Sequence, residues 1–227
     1  MHDTNYTVPV AIILGGIIVA LALYFAVVAR PPSGGIAIGS GNPSLVRPVD
    51  STDHILGNPA ATIQIVEYSD FDCTFCKAFD GTLHEIIANA GATGNVAWVY
   101  RHFPLIEIHP DTMKLADAAE CVAKTGGNDA FWKFATLLFA NQPADTTKLG
   151  EYAKTVGAPS DAFTACYTDA TNTVEARIKA DRENALALGA RGTPYSLILA
   201  PGKAPVVIDG AYSYDAVKAL IDQALGK

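Results

Sequence analysis

Long runs of like charge are absent from this 227-residue sequence, in which no five consecutive residues carry the same sign. Positive charge is also scarce: 16 Lys and Arg stand against 23 Asp and Glu, so the formal net charge is −7. A nucleic-acid-binding protein must meet the phosphate backbone with a basic patch, so this balance argues against nucleic acid as a partner. With 50% hydrophobic and 17% charged residues, the chain is too apolar to be disordered.

Charged side chains are also absent from the segment Val8–Ala29. As a helix this segment would be about 33 Å long, enough to cross a hydrocarbon core of about 30 Å. The sequence therefore predicts an uncleaved membrane anchor, preceded by a short flank at residues 1–7. The alternative is a signal peptide cleaved after Val27-Val28-Ala29, but a signal peptide has a basic N-terminal region and a shorter apolar core. This flank contains no Lys or Arg.

Residues 30–53 are rich in Pro, Gly and Ser. This composition is typical of an extended, mobile linker. The sequence thus predicts one folded domain at residues 54–227, joined to the anchor by that linker.

The order of predicted elements in the domain indicates an α/β fold. A strand, a helix and a second strand come first, then helices alone, then two strands and a last helix. Because a β-α-β unit produces a pair of parallel strands, the helical stretch reads as an insertion, at about 110–190, into a sheet-containing core. The predicted strands are Thr62–Tyr68, Val96–Arg101, Tyr195–Leu199 and Pro205–Ile208, and the flanking helices are Cys76 to about Asn89 and Asp215–Leu225.

Two of the four cysteines lie at the first strand-to-helix turn, in the segment Cys73-Thr74-Phe75-Cys76. A thiol at the first turn of a helix faces unpaired backbone N–H groups and the positive end of the helix dipole. Both lower its pKa and favour the thiolate. Since Cys76 can resolve a mixed disulfide formed at Cys73, the spacing predicts a two-electron thiol–disulfide exchange centre.

The other two cysteines, Cys121 and Cys166, lie on predicted helices of the insertion. A zinc site would need four ligands, usually as two close pairs, and neither cysteine has a Cys or His two to five residues away. We therefore predict no metal site. Three interpretations remain for this pair: buried thiols, a second redox pair, or a structural disulfide, which we favour because disulfides form in oxidising compartments.

The domain from His54 to Lys227 resembles the thioredoxin superfamily, and within it the DsbA-like thiol:disulfide oxidoreductases, whose core is interrupted by a helical insertion. The segments that carry the resemblance are GNPAATIQIVEYSDFDCTFC, VYRHFPL with the nearby His109, AAECVAK around Cys121, and RGTPYSLIL. The Thr-Phe dipeptide between Cys73 and Cys76 differs from the Pro-His of strongly oxidising members.

The resemblance implies roles for individual residues. Cys73 is expected to be the exposed nucleophile and Cys76 the buried resolving partner. Thr193 and Pro194 are expected to form a loop with a cis peptide bond that binds extended substrates, although an ordinary trans proline is the simpler interpretation of the sequence alone.

Three further side chains are expected to support the catalytic pair. Glu67 matches a buried acidic residue of the family, and strand alternation places it on the face of Ile63 and Ile65. The alternative interpretation of Glu67 is an ordinary strand residue whose side chain reaches solvent. Between the cysteines, Thr74 could donate a hydrogen bond to sulfur, and Phe75 replaces the usual His.

The sequence therefore predicts a membrane-tethered thiol:disulfide oxidoreductase, with no cofactor, that introduces disulfides into cysteine-containing polypeptides. Its partner would be a membrane protein that reoxidises the pair. Arg30 and Arg47 alone would favour a cytoplasmic domain, but the cysteines favour a cytoplasmic N-terminus and an extracytoplasmic domain. A reductase, an isomerase and a non-catalytic polypeptide-binding module are the alternatives.

Overall fold

The computed structural model describes residues 41–169, 171 and 173–227. The predicted anchor Val8–Ala29 and the first part of the predicted linker lie outside these residues. Within the described ranges, no helix has both the length and the apolar character needed to cross a membrane.

Five strands form one sheet, with the order β1-β3-β2-β4-β5. They are β1 (His54–Gly57), β2 (Ile63–Ser69), β3 (Val96–His102), β4 (Tyr195–Leu199) and β5 (Val206–Asp209). The neighbours β2 and β3 are parallel, whereas every other pair is antiparallel. The predicted strands are confirmed, with β1 added at the edge, where four residues are too few to show an alternating pattern.

Seven α-helices complete the described part of the fold. They are α1 (Thr74–Asn89), α2 (Thr112–Gly126), α3 (Asn128–Ala140), α4 (Leu149–Thr155), α5 (Ser160–Tyr167), α6 (Glu175–Leu188) and α7 (Tyr214–Leu225). The α/β fold with a helical insertion is therefore confirmed.

The sheet has a hydrophobic core on each face. On one face, Ile63 and Ile65 of β2 pack in a cluster that includes residues of α1, α7 and the helices α2–α5. On the other face, Val66 and Tyr68 pack with residues of α6. The predicted insertion extended to about residue 190, but α6 covers the sheet, so only α2–α5 form a separate helical block.

The last part of the predicted linker is attached to the domain. Arg47 forms an ion pair with Asp181 of α6, and its backbone N–H donates to Asn184 Oδ1 at 3.1 Å. The buried Arg101 guanidinium donates to the carbonyl oxygens of Arg47 and Pro48, each at 3.1 Å. These polar contacts therefore hold the residues around Arg47 against the domain. The composition had instead predicted a mobile linker here.

A disulfide joins Cys121 of α2 to Cys166 of α5, with their Cα atoms 5.7 Å apart. This confirms the structural disulfide expected for the helical block. Because the bond spans 45 residues, it restricts the unfolded chain more than it changes the packing of the folded one.

We expect the double substitution Cys121→Ala/Cys166→Ala to lower the free energy of unfolding by about 2–4 kcal/mol. Urea denaturation followed by circular dichroism measures this change, and the wild-type protein treated with a reductant is the matched control. An unchanged free energy of unfolding in both samples would contradict a stabilising role for the disulfide.

Candidate active site

Cys73 and Cys76, the predicted catalytic pair, lie at the junction between β2 and α1. Cys73 is the N-cap residue of α1, with extended backbone angles (φ −80°, ψ 121°), and Cys76 lies in the first turn of that helix. Only 5% of Cys73 is exposed and none of Cys76. An incoming thiol therefore reaches Cys73 first, and Cys76 can react only with the sulfur beside it.

The pKa of Cys73 is lowered to about 6. The main causes are a hydrogen bond from Cys76, a second from Thr193, and the backbone N–H groups of Cys76 and Phe75 at the start of α1. Burial opposes this shift. Burial also raises the pKa of Cys76 well above its usual value, and the neighbouring Cys73 and Glu67 add to that effect. At neutral pH the pair thus holds one thiolate, at Cys73, and one thiol, at Cys76.

The loop before β4 completes the site around the sulfur of Cys73. The Thr193–Pro194 peptide bond is cis, as the resemblance implies. The Cys73 thiol donates to the Thr193 carbonyl oxygen over an Sγ–O distance of 3.4 Å. The Thr193 hydroxyl is buried and has no hydrogen-bond partner among the described residues. It is therefore available to donate to the thiolate.

Glu67 lies beneath the cysteine pair and is only 1% exposed. Its Oε2 accepts a 2.9 Å hydrogen bond from the indole Nε1 of Trp98, while Oε1 is buried without a hydrogen-bond partner within the described chain. Burial is the main reason why the pKa of Glu67 rises to about 8, and the nearby Asp80 and Cys73 raise it further. A carboxyl group in this state holds a proton at neutral pH.

A second buried carboxyl group, that of Asp80, lies on the inner face of α1. Burial raises its pKa to about 7. The sequence analysis did not identify this residue, although it occupies the same helical stripe as the buried Cys76, Phe79 and Leu83. The sequence signal that could have identified Asp80 is an acidic residue among apolar residues at helical spacing.

Asp70, in the turn between β2 and α1, fixes the position of Cys73. Its fully buried carboxylate accepts hydrogen bonds from the Leu105 backbone N–H and the His109 ring, each at 2.8 Å, and from the Thr112 hydroxyl. Its own carbonyl oxygen accepts from the Cys73 N–H at 3.1 Å. His109, which the sequence left without a role, thus helps to hold the catalytic turn.

The two residues between the cysteines point to solvent. Thr74 is exposed, and Phe75 is 67% exposed. The hydroxyl that lowers the pKa of Cys73 belongs to Thr193, which is distant in sequence. Phe75 instead presents an aromatic surface next to the nucleophile.

A family model described as Thioredoxin matches residues 50–223. The chain belongs to this thioredoxin family. The match contains Cys73, Cys76 and Pro194, ends within α7, and leaves out the predicted anchor.

Three solved structures show the same fold as this thioredoxin-family chain. BdbD from Bacillus subtilis has a TM-score of 0.67 and 22% identity, covering 84% of this chain and 99% of its own. The thiol-disulfide exchange protein alpha-DsbA2 of Wolbachia pipientis has a TM-score of 0.65 and 20% identity, covering 77% of this chain and 88% of its own. DsbA2 of Pseudomonas aeruginosa has a TM-score of 0.62 and 24% identity, covering 78% of this chain and 96% of its own.

More similar sequences occur inside larger proteins. A protein named Na(+)/H(+) antiporter NhaA 1 from Mycolicibacterium gilvum (strain PYR-GCK) is 34% identical over 152 residues, which is 66% of this chain and 24% of that protein. Its namesake from Salinispora arenicola (strain CNS-205) is 31% identical over 194 residues, 83% of this chain and 27% of that protein. This thioredoxin-family chain thus spans about a quarter of the relatives that it matches.

The lowered pKa of Cys73 predicts how fast this residue reacts with iodoacetamide. Because only the thiolate reacts, the rate should rise with a midpoint near pH 6 and reach a plateau by about pH 8, where an ordinary thiol of pKa about 8.5 would still be rising. In Thr193→Val, which removes a donor to the thiolate, we expect the midpoint to rise by about one pH unit.

Thr193→Ser is the matched control, since it keeps the hydroxyl and should keep the wild-type midpoint. Mass spectrometry of the alkylated peptide assigns the reaction to Cys73. Equal midpoints for the Val and Ser variants would show that the hydroxyl does not stabilise the thiolate.

The buried Glu67 predicts a pH-dependent gain in stability for Glu67→Gln. A pKa raised to about 8 in the folded protein, from the ordinary value of about 4.3 for an exposed glutamate, means that the folded state is favoured while the group is protonated. That contribution is complete below about pH 4 and is lost as the pH rises to about 8. We expect the Gln variant to match the wild type near pH 4 and to exceed it by roughly 4 kcal/mol at pH 8.

Urea unfolding at several pH values, with Cys73 and Cys76 reduced, measures this difference. Glu85→Gln on the outer side of α1 serves as the control, because its side chain is exposed. A Glu67→Gln curve parallel to that of the wild type would mean that Glu67 ionises normally in the fold.

Proposed function

We propose that this chain is a thiol:disulfide oxidoreductase that introduces disulfides into polypeptides outside the cytoplasm, tethered to the membrane by Val8–Ala29. The observation that carries the proposal is the asymmetry of the cysteine pair. A thiolate of pKa about 6 at Cys73 stabilises the reduced form of the protein at neutral pH. A stable reduced form makes the disulfide form a stronger oxidant.

The reaction runs through a mixed disulfide. A substrate thiolate attacks Cys73 Sγ and breaks the Cys73–Cys76 bond, so Cys76 leaves with an electron pair and takes a proton. Glu67, protonated at neutral pH and buried beside Cys76, is the group placed to supply it. A second substrate thiolate then attacks the substrate sulfur of the mixed disulfide and releases the Cys73 thiolate, which leaves the substrate oxidised and the pair reduced.

The surroundings of Cys73 support a polypeptide substrate. Phe75 offers an exposed aromatic surface beside the nucleophile. The loop at Thr193 and Pro194 lies against the sulfur and brings backbone groups to the same place, where an extended peptide can pair with them. Recycling requires a partner that takes two electrons from the reduced pair, and a tether at Val8–Ala29 would keep the domain close to such a partner in the membrane.

The Cys121–Cys166 disulfide supports the extracytoplasmic location. Disulfides of this kind persist in oxidising compartments and are rare in the cytoplasm. The solved structures of similar fold include a protein described as a thiol-disulfide exchange protein, which supports the reaction class.

A glutathione redox titration of the full-length chain in detergent tests the direction. We expect a Cys73–Cys76 couple near the oxidising end of the range, about −120 mV, whereas a value near about −270 mV would make the protein a reductase. The absence of any redox-active pair would overturn the proposal.

Two variants separate an enzyme from a binding module. With the disulfide form of a two-cysteine peptide, Cys76→Ser should accumulate a mixed disulfide, because the Cys73 thiolate attacks the peptide disulfide, one peptide sulfur leaves as a thiol, and no Cys76 thiol remains to resolve the product. Cys73→Ser should abolish oxidation of the reduced form of the same peptide. A Cys73→Ser variant that still oxidises the peptide would exclude Cys73 as the nucleophile, and a wild type that binds but never oxidises it would indicate a binding module.

A further inference from the structure

Three residues that are far apart in sequence meet on the helical-block side of the sheet. His54 begins β1, His102 ends β3 and Glu120 lies in α2. The Nε2 atoms of His54 and His102 lie 2.6 and 2.9 Å from the same oxygen, Glu120 Oε1. All three side chains are buried, and their donor atoms lie within 4.8 Å of one another.

Hydrogen bonds alone do not account well for this arrangement, because several nitrogen atoms surround a single carboxylate oxygen. Both imidazole Nε2 atoms and the Nε of Arg177, at 3.1 Å, approach Glu120 Oε1, and the Arg177 Nε makes no hydrogen bond within the described residues. A neutral imidazole has a lone pair on one nitrogen, and with its proton on Nδ1 that lone pair is on Nε2. Both Nε2 atoms would then face Glu120 as metal ligands rather than as hydrogen-bond donors.

Two imidazoles and one carboxylate form a ligand set that zinc and related divalent transition metals accept, leaving a fourth position for water. With metal–ligand bonds of about 2.0–2.1 Å, tetrahedral donors lie about 3.3 Å apart. The nitrogens of His54 and His102 would have to move away from the Glu120 oxygen by less than about 1 Å, and, since the donor atoms lie within 4.8 Å of one another, to approach each other by at most about 1.5 Å.

We propose that His54, His102 and Glu120 form a binding site for a divalent transition metal, with Zn²⁺ as the reference ion. A surface pocket lined by His54, Glu120, Lys124, Asn128 and Arg177 gives the site an entry path and space for a water ligand. The site is separate from the thiol chemistry, because no cysteine is among its ligands.

Arg177 is the group that opposes a cation here. Its guanidinium forms an ion pair with Glu120, but it also lies 3.7 Å from an Asp53 oxygen and 4.0 Å from an Asp181 oxygen. When a metal binds Glu120, Arg177 can therefore keep two other acidic partners. Arg177 competes with the metal for Glu120 and sets the affinity of the site.

The ligands come from two strands of the sheet and from the helical block. Glu120 directly precedes Cys121, whose disulfide braces α2 against α5. A bound metal would tie α2 to the ends of β1 and β3, so it would stabilise the contact between the sheet and the helical block.

The test is a titration of the full-length chain with Zn²⁺ by calorimetry, and with Co²⁺ by visible absorption. Cys73 and Cys76 are first oxidised to a disulfide, so that they cannot bind the metal. We expect one ion per chain, a Co²⁺ spectrum of nitrogen and oxygen ligands without sulfur charge transfer, and a higher melting temperature with Zn²⁺.

The substitutions His54→Gln, His102→Gln and Glu120→Gln should each weaken the affinity at least about 10-fold. His84→Gln, which changes a histidine of α1 outside the cluster, is the matched control and should bind like the wild type. Arg177→Gln should bind more tightly, because the competing cation is gone. This last variant keeps all three ligands, so it tests the site even if a ligand variant folds poorly.

Two results would overturn the proposal. One is a chain that binds neither Zn²⁺ nor Co²⁺ in the wild type and in Arg177→Gln. The other is binding that the three ligand substitutions leave unchanged in variants whose circular dichroism shows a native fold.

Discussion

The contact between the Cys73 sulfur and the first turn of α1 is the interaction on which the chemistry of this protein depends. The N–H groups of Phe75 and Cys76 have no partner within the helix and point at the sulfur, so they favour the thiolate. This works only if Cys73 stays at the N-cap. The buried carboxylate of Asp70, with its bonds to Leu105, His109 and Thr112, fixes the turn that holds Cys73 in place.

The polar groups under Cys76 lie in an otherwise apolar core. Glu67 and Asp80 are both buried; Asp80 raises the pKa of Glu67, and Glu67 raises the pKa of Cys76. These buried surroundings raise the pKa of Cys76, whereas the helix N-terminus lowers the pKa of Cys73. One sulfur of the pair is therefore held as a thiolate while the other keeps its proton, and this difference gives the proposed exchange reaction an order.

The helical block is joined to the sheet by covalent and polar links. The Cys121–Cys166 bond braces α2 against α5, and Gln142 at the end of α3 donates to the Phe71 carbonyl of the catalytic turn at 2.8 Å. The cluster around Glu120 connects α2 to β1 and β3. The block thus supports the active site from the side that faces away from α6.

The sequence by itself determined the α/β order, the helical insertion and the position of the cysteine pair at the start of a helix, because these follow from local patterns: alternation in strands, helical spacing, and two cysteines one turn apart. Alternation also indicated that Glu67 is buried. It could have assigned Trp98 to the same face, since Ile65 pairs with Trp98 across β2 and β3, but nothing local shows that the indole donates to Glu67.

Only the tertiary structure decided which distant residues meet. The pairing of Cys121 with Cys166, the approach of Thr193 to Cys73, and the cluster of His54, His102 and Glu120 each join segments that are at least 18 residues apart. No periodicity encodes such contacts. They arise when strands pair and helices bury their apolar faces, and those long-range steps bring polar groups together in a core where each needs a partner.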